Sequence, residues 1–416
     1  MRRFAAAVTV AAAALWLAPG ALAGGWCGGG ETAADRPDVL NGAQIRFVYV
    51  IPSDGADNFA AVANGIADDA SSIDAWWRSQ DPTRTPRFDF ADFGGGCTAL
   101  DIAFVRIGLT GSQVAQGTFA LQRVVNGLVD NGFSARYERY VVYYDGLPFD
   151  RDVCGTTSGT TFSAGPAYAI VWTAACDGIP HDFVAAHEMT HALGAVPRGA
   201  PHMCVLAPGH VCDSPQDLMY PVAPSTPLSQ AILDVGHDDY YAHSGSWPDI
   251  QDSAWLRHLD APPQHLSVSV SGSGRVTSDV PGVSCTATCD TVWDGGSLVT
   301  LNAASVGSTS RFVAWRGACT RRATCTVTLD AARTVTAVFG PTTIPVRVTT
   351  SGRGRVACAP ACRAHMKAGD SLVLRAQPAA GWRFAGWSGA CHGVTEVCTP
   401  STDFGVTARA IFRRAD

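Results

Sequence analysis

Apolar positions in the first two thirds of the chain switch between two periods. Gln44 to Pro52, QIRFVYVIP, is a nearly continuous apolar run, the pattern of a strand buried on both faces. Phe59 to Gln80 instead spaces Ala63, Ile66, Ala70, Ile73 and Trp77 three or four residues apart, which puts them on one helix face. A second strand is expected at Leu100 to Gly108, a second helix at Thr118 to Phe133, and two further strands at Arg139 to Gly146 and Ala167 to Ala174. Such alternation predicts an α+β domain on a mixed, mostly parallel sheet with helices against it. One more helix follows the last strand: Pro180, His181 and Asp182 suit its first turn, and Gly194 stops it.

After residue 260 the period is two. LSVSV from Leu266, SLVTLNA from Ser297 and TVTAVF from Thr334 alternate between Gly-rich turns, so short strands are expected throughout. This region also repeats itself. RFVAWRGAC at Arg311 to Cys319 matches RFAGWSGAC at Arg383 to Cys391, and Cys285 and Cys289 correspond to Cys358 and Cys362. Two copies of one small all-β domain are therefore expected, at 264–340 and 342–416, behind a Pro-Pro linker at 260–265. Residues 24–260 then form the larger domain.

Composition narrows the setting more than the chemistry. Charged residues are 16% of the chain and the net charge is −6, which provides no basic surface for nucleic acid. Arg2 and Arg3 precede the apolar run Phe4 to Leu17 and the small residues Ala21 to Ala23, so residues 1–23 are expected to be a signal peptide, with no membrane span after its removal. Export places the fourteen cysteines in an oxidising compartment, where seven disulfides are the simplest reading and a secreted location follows. Cys285 with Cys289 and Cys319 with Cys325 would staple a small domain whose core alone is marginal. Cys154 and Cys176 flank the 167–174 strand, and Cys204 with Cys212 would close a loop after the last helix.

That helix carries the candidate chemistry. In His187-Glu188-Met189-Thr190-His191 the two histidines lie four residues apart, so both imidazoles can point at one ion. Zinc takes imidazole nitrogens, and a catalytic site uses three protein ligands and keeps the fourth position for water. Glu188, beside the metal, would be the general base that takes a proton from the attacking water. The third ligand must come from downstream. His202 is favoured, because PRGAPH inserts a short Gly/Pro loop able to return an imidazole under the helix end. His210, beside Cys212, is the next candidate. Asp213 and Asp217 would supply a carboxylate instead, and His237 and His243 lie further on.

HEMTHALGAVP resembles the metzincin metallopeptidase motif H-E-x-x-H-x-x-G-x-x-H, and DLMYP at Asp217 to Pro221 resembles the Met-turn of that clan. The resemblance implies a zincin-like catalytic domain with His187 and His191 as zinc ligands, Glu188 as base, Gly194 at the tight turn and Met219 beneath the metal. Two departures stand out: Pro197 occupies the third-ligand position, and the stretch before Met219 is longer than in typical members. It further implies that the 167–174 strand is a sheet edge on which extended substrate pairs; a purely structural edge is the alternative. Cys27 would be the inhibitory thiolate of a matrixin-type propeptide, but cysteine parity favours a Cys27 to Cys97 disulfide. Leu233 to His243 is acidic enough to suggest calcium, although a solvated loop or a helix start is the better reading.

GWSGAC and TVTLDAARTVTAVF, the latter Thr326 to Phe339, resemble the divergent InlB B-repeat family, which implies extracellular stalk or surface-contact modules. The expectation is a secreted zinc-dependent metalloendopeptidase that acts on protein or peptide and contacts a cell surface or matrix through its repeats. The alternatives are an adhesin-like binding protein with a degenerate peptidase domain and a zinc amidase acting on cell-wall crosslinks.

Overall fold

The computed structural model describes residues 26–159, 165–320 and 324–415. The expected signal peptide, residues 1–23, lies outside the described residues. No helix among the described residues is long and apolar enough to cross a membrane. The chain divides into two compact units: one comprises 44–257 with the segment ending at Val39, the other His258 to Asp416 with Leu40–Ala43.

The first unit contains, in order, β1 (Gln44–Ile51), α1 (Phe59–Gln80), β2 (Arg84–Pro86), β3 (Phe90–Gly94), β4 (Cys97–Leu100), β5 (Ile102–Arg106), α2 (Gly111–Ala115), α3 (Ala120–Asp130), β6 (Glu138–Tyr144), β7 (Gly155–Ser158), β8 (Ala167–Trp172) and α4 (His181–Leu193). Five strands form one sheet in the order β5-β1-β6-β8-β7. Neighbours are parallel from β5 to β8, and β7 alone runs antiparallel at the end. Every residue of β1 is buried, as a central parallel strand covered on both faces requires. Val48 and Val50 pack with Val124, Val125 and Leu128 of α3 on one face. Tyr49 meets Phe59 of α1, and Tyr143 meets His181 of α4, on the other. On that second face Tyr143 donates to Asp69 of α1 at 2.9 Å, and Ser72 of α1 donates to Asp182 of α4 at 2.6 Å. The two helices are thus fixed to the sheet and to each other by polar bonds as well as packing.

The 167–174 strand is not the sheet edge: β8 is wholly buried and has β6 on one side and β7 on the other. Gly155–Ser158, the sequence GTTS, takes the edge. It has no apolar alternation, and all four residues are half-buried, so no hydrophobic signal marks it.

The second unit consists of two copies of one β-rich design. In the first, Cys289–Trp293, Gln264–Ser271, Arg333–Pro341 and Ser310–Gly317 form a sheet in that order; in the second, His365–Lys367, Thr343–Ser351, Val406–Arg414 and Trp382–Gly389 repeat it. The opening and closing strands of each copy pair in parallel. A second sheet packs below, with four strands in the first copy and three in the other. The shared W-x-G-A-C wording has a steric cause. Gly317 and Gly389 both adopt φ +89°, and a Cβ on either would lie 2.3 Å from the carbonyl oxygen of Thr334 or Thr407.

Disulfides join Cys27 to Cys97, Cys154 to Cys176 and Cys204 to Cys212 in the first unit. In the second they join Cys285 to Cys289, Cys319 to Cys325, Cys358 to Cys362 and Cys391 to Cys398.

Candidate metal centre

α4 follows the extended Pro180 and ends at Gly194, whose φ of 100° lets its N–H turn back to the His191 carbonyl at 2.9 Å. Deep in the unit, fully buried Arg139 of β6 donates from Nε to the Ala192 carbonyl at 2.7 Å and lies 3.6 Å above the Trp255 ring. A cation at the negative end of the helix steadies the turn that carries His191.

The two helix histidines stand with ring centroids 4.8 Å apart. His210 closes the group, its centroid 5.2 Å from His187 and 4.7 Å from His191. Its Nε2 lies 3.3 Å from the Nε2 of each. Leu218 offers its carbonyl to His187 Nδ1 at 2.6 Å, and Ala207 offers its own to His210 Nδ1 at 3.3 Å. With Nδ1 as the N–H donor, Nε2 of a neutral ring bears the lone pair, the tautomer a metal ligand needs. Neutrality is enforced by the surroundings. Burial, then His210, lowers His187 to a pKa of about 4, against the pull of the Leu218 carbonyl. Burial, then the other two rings, holds His191 well below the ordinary histidine value, and burial lowers His210. The three ligand atoms lie within 4.8 Å of one another, so these histidines could hold a metal ion.

His202 is not brought to this group, which corrects the placement expected from the sequence. The disulfide between Cys204 and Cys212 closes a hairpin in which Cys204 N–H donates to the His210 carbonyl at 2.8 Å and Cys212 N–H to the His202 carbonyl at 3.0 Å. His210 therefore sits inside the closed loop, after a turn at Gly209 with φ +91°, while His202 sits outside its base. There Asp239, fully buried, accepts the His202 N–H at 2.7 Å and faces its Nδ1 at 3.0 Å, which raises the imidazole pKa. His237 Nδ1 faces the Tyr241 carbonyl at 3.3 Å and His243 Nε2 the Pro248 carbonyl at 3.3 Å, both away from the group. Asp217 is occupied with its own turn: it accepts from Met219 N–H at 2.7 Å, Val235 N–H at 2.8 Å and the Tyr240 hydroxyl at 2.8 Å. That turn aims the Leu218 carbonyl at His187, and Met219 beside it is fully buried. In the acidic 233–243 stretch, Asp234 accepts backbone N–H groups of Asp239, Tyr240 and Tyr241, so it shapes the loop.

Glu188 is buried beside the histidines. Thr157 Oγ1 of β7 lies 2.5 Å from its Oε2 and 2.9 Å from its carbonyl oxygen. Burial pushes the carboxyl up to about 7, and the Thr157 bond draws it back. Gly155 makes room for it: a Cβ there would lie 2.6 Å from Oε1. Sequence reasoning missed Gly155, Thr157 and Asp239. Arg139 did leave a signal, an arginine directly before the apolar run YVVYY of β6.

Residues 266–343 and 344–413 each match the divergent InlB B-repeat domain. No curated protein matches the chain. Among solved structures, a catalytically inactive OgpA from Akkermansia muciniphila, in complex with an O-glycopeptide substrate, is 11% identical with a TM-score of 0.26, over 71% of this chain and 94% of that one. The major pilin T-13 of Streptococcus pyogenes is 8% identical with a TM-score of 0.14, over 37% of this chain and 98% of that one. Likenesses this loose carry no argument about fold or activity.

Proposed function

We propose that this chain is a secreted zinc-dependent metalloendopeptidase in which His187, His191 and His210 hold the metal and Glu188 moves the proton. The observation that carries this reading is the convergence of three imidazole Nε2 atoms next to a buried carboxylate. Two nitrogens each about 2.0–2.1 Å from one tetrahedral ion are about 3.3 Å apart. His210 Nε2 keeps 3.3 Å from both of its neighbours, so the residues fit zinc. Three nitrogen ligands leave a coordination position open, the pattern of catalytic sites; structural sites use four protein ligands. When bound, the metal supplies Lewis-acid polarisation of water and of the scissile carbonyl.

The remaining work falls to the chain. Glu188 takes a proton from the attacking water and returns it to the departing amine, and a pKa near neutrality suits both directions. Thr157 fixes Oε2, and Gly155 keeps space beside Oε1 for the transfer. The fold assigned is a zincin-like α+β catalytic domain with a metzincin-type helix and Met-turn. β7 favours a polypeptide substrate over a small amide: it ends the sheet, and an extended peptide could add to it by main-chain hydrogen bonds. Seven disulfides support an extracellular location, and the two repeats are the assigned surface-contact modules.

The test is hydrolysis of casein or gelatin by the zinc-loaded full chain. Activity should be abolished by a chelator and should fall about 10²- to 10⁴-fold in Glu188→Ala, which keeps its zinc. Undiminished hydrolysis by Glu188→Ala would remove the mechanism. Release of cell-wall crosslinks with no cleavage of protein would point to the amidase instead.

A further inference from the structure

A second group of ligating side chains stands apart from the histidines, where the N-terminal segment lies against the sheet. Asp35, Asp89 and Asp101 each offer a carboxylate oxygen, and the three oxygens lie within 4.8 Å of one another. Asp89 is the unusual member. Its side chain is 1% exposed, and neither carboxylate oxygen has a hydrogen-bond partner. Its backbone is pinned on both sides: its N–H donates to the Ile45 carbonyl at 3.0 Å and its carbonyl accepts from Asp101 N–H at 2.9 Å. A buried carboxylate without a partner is costly, and native chains seldom leave one so.

Arg46 is the nearest cation, and it is held back. Its Nε stands 3.7 Å from Asp89 Oδ2, outside hydrogen-bond reach, and is itself without a partner. The guanidinium is retained by the Ala34 carbonyl at 2.9 Å, by an ion pair from Nη1 to Asp35 Oδ1 at 3.5 Å and by the Phe133 ring 5.1 Å below it. Arg36 is spent on Asp101, to which it also donates from its backbone N–H at 3.1 Å. Asp38 and Glu138 stand in the same field: burial, then Asp35, raises the Asp38 carboxyl to about 7, and burial raises that of Glu138. Five carboxyls thus share two arginines.

We propose that Asp35, Asp89 and Asp101 form a binding site for a hard divalent cation of the calcium class, which ties the N-terminal segment to the catalytic unit. Calcium binds oxygens at about 2.3–2.6 Å, so two ligands on one ion are at most about 5 Å apart, which this group satisfies. An ion here would pair the stranded Asp89 and join Asp35 of the segment to Asp89 and Asp101 of the domain. The segment is already anchored on both sides of Asp35, by Phe104 N–H on the Thr32 carbonyl at 2.9 Å and by Arg36 N–H on Asp101. Cation binding would thus tighten a docked segment.

The experiment uses the zinc-loaded full chain freed of other divalent ions and titrated with calcium chloride. Calorimetry should show one calcium per chain, with a dissociation constant between about 10⁻⁶ and 10⁻³ M. The melting temperature should rise with calcium, and hydrogen exchange at residues 32–38 should slow. Asp35→Asn should weaken binding at least tenfold. Asp89→Asn should abolish it while the calcium-free variant melts no lower than the calcium-free parent, since the amide replaces a carboxyl that has no hydrogen-bond partner and that burial holds well above its usual pKa. Absence of binding by the parent chain, or equal binding by Asp35→Asn and Asp89→Asn, would overturn the site. A calcium-free Asp89→Asn that melts well below the parent, with calcium inert on both, would leave an Arg46–Asp89 ion pair as the only role.

Discussion

α4 and the 195–219 loop bring histidines to one point by opposite means. The helix does it locally: His187 and His191 face the same way because they are four residues apart, and any stable helix would align them. The loop does it through closure. His210 reaches the pair because Cys204 and Cys212 pin a short hairpin, because Gly209 turns left-handed just before it, and because Val211 N–H docks on the Met219 carbonyl at 3.1 Å. His202, eight residues earlier in the same loop, is excluded by the same closure. A site can therefore be half periodicity and half topology, and the two halves should fail differently when disturbed.

The largest effect should separate the two loop histidines. His210→Ala removes a ligand from the proposed triad, so zinc affinity should fall by more than the roughly 10–100-fold that loss of a supporting contact costs. His202→Ala should keep its zinc and its activity, since its ring is paired with Asp239 away from the group. Measured zinc content and proteolysis of both variants decide the matter; zinc loss in His202→Ala with retention in His210→Ala would reverse the assignment.

A smaller effect tests closure itself. Replacing Cys204 and Cys212 by serine opens a loop with a sequence separation of 8, worth about 2–3 kcal/mol if the entropic account holds. Melting temperature should drop, and zinc affinity should fall roughly 10–100-fold, as for a lost supporting contact, with His187 and His191 unchanged. A double variant that melts lower but binds zinc with full affinity would show that the Val211 and Ala207 contacts place His210 unaided.

This division also explains what the sequence made legible. The α1, α3 and α4 helices, the four parallel strands, the repeat and the place of Glu188 beside His187 and His191 on one helix followed from period and spacing, which are local quantities. β7 did not, because GTTS owes its place to backbone pairing with β8 and to a close approach at Gly155, neither of which writes a hydrophobic pattern. The choice between His202 and His210 was equally hidden. Both lie in Gly/Pro-rich sequence, and what distinguishes them is which side of a disulfide-closed hairpin faces α4. Asp239, which claims His202, comes from thirty-seven positions away in sequence.

The finest test concerns β7, the element the sequence concealed, and its grip on Glu188, the proposed base. Thr157→Val keeps the shape of the side chain and removes the hydroxyl that stabilises ionised Glu188. The carboxyl already stands at about 7, so loss of that bond must raise it further. A hydrogen bond to a charged group is worth about 1.5–3 kcal/mol, which moves a pKa by about one to two units. The acid limb of the rate profile should then shift upward by that amount, with most activity lost at pH 6 and at most about half at pH 9. Bound zinc lowers the starting value by charge attraction, yet the direction of the shift is the same. Stability of the metal-free chain should move in step. A carboxyl raised from 4.5 to about 7 in the folded state makes its full contribution below pH 4.5 and loses it as pH rises through 7. In Thr157→Val that loss should extend to higher pH, since the folded-state carboxyl holds its proton longer. Unchanged rate and stability profiles in Thr157→Val would mean that burial alone sets the base, and that β7 serves the substrate and not Glu188.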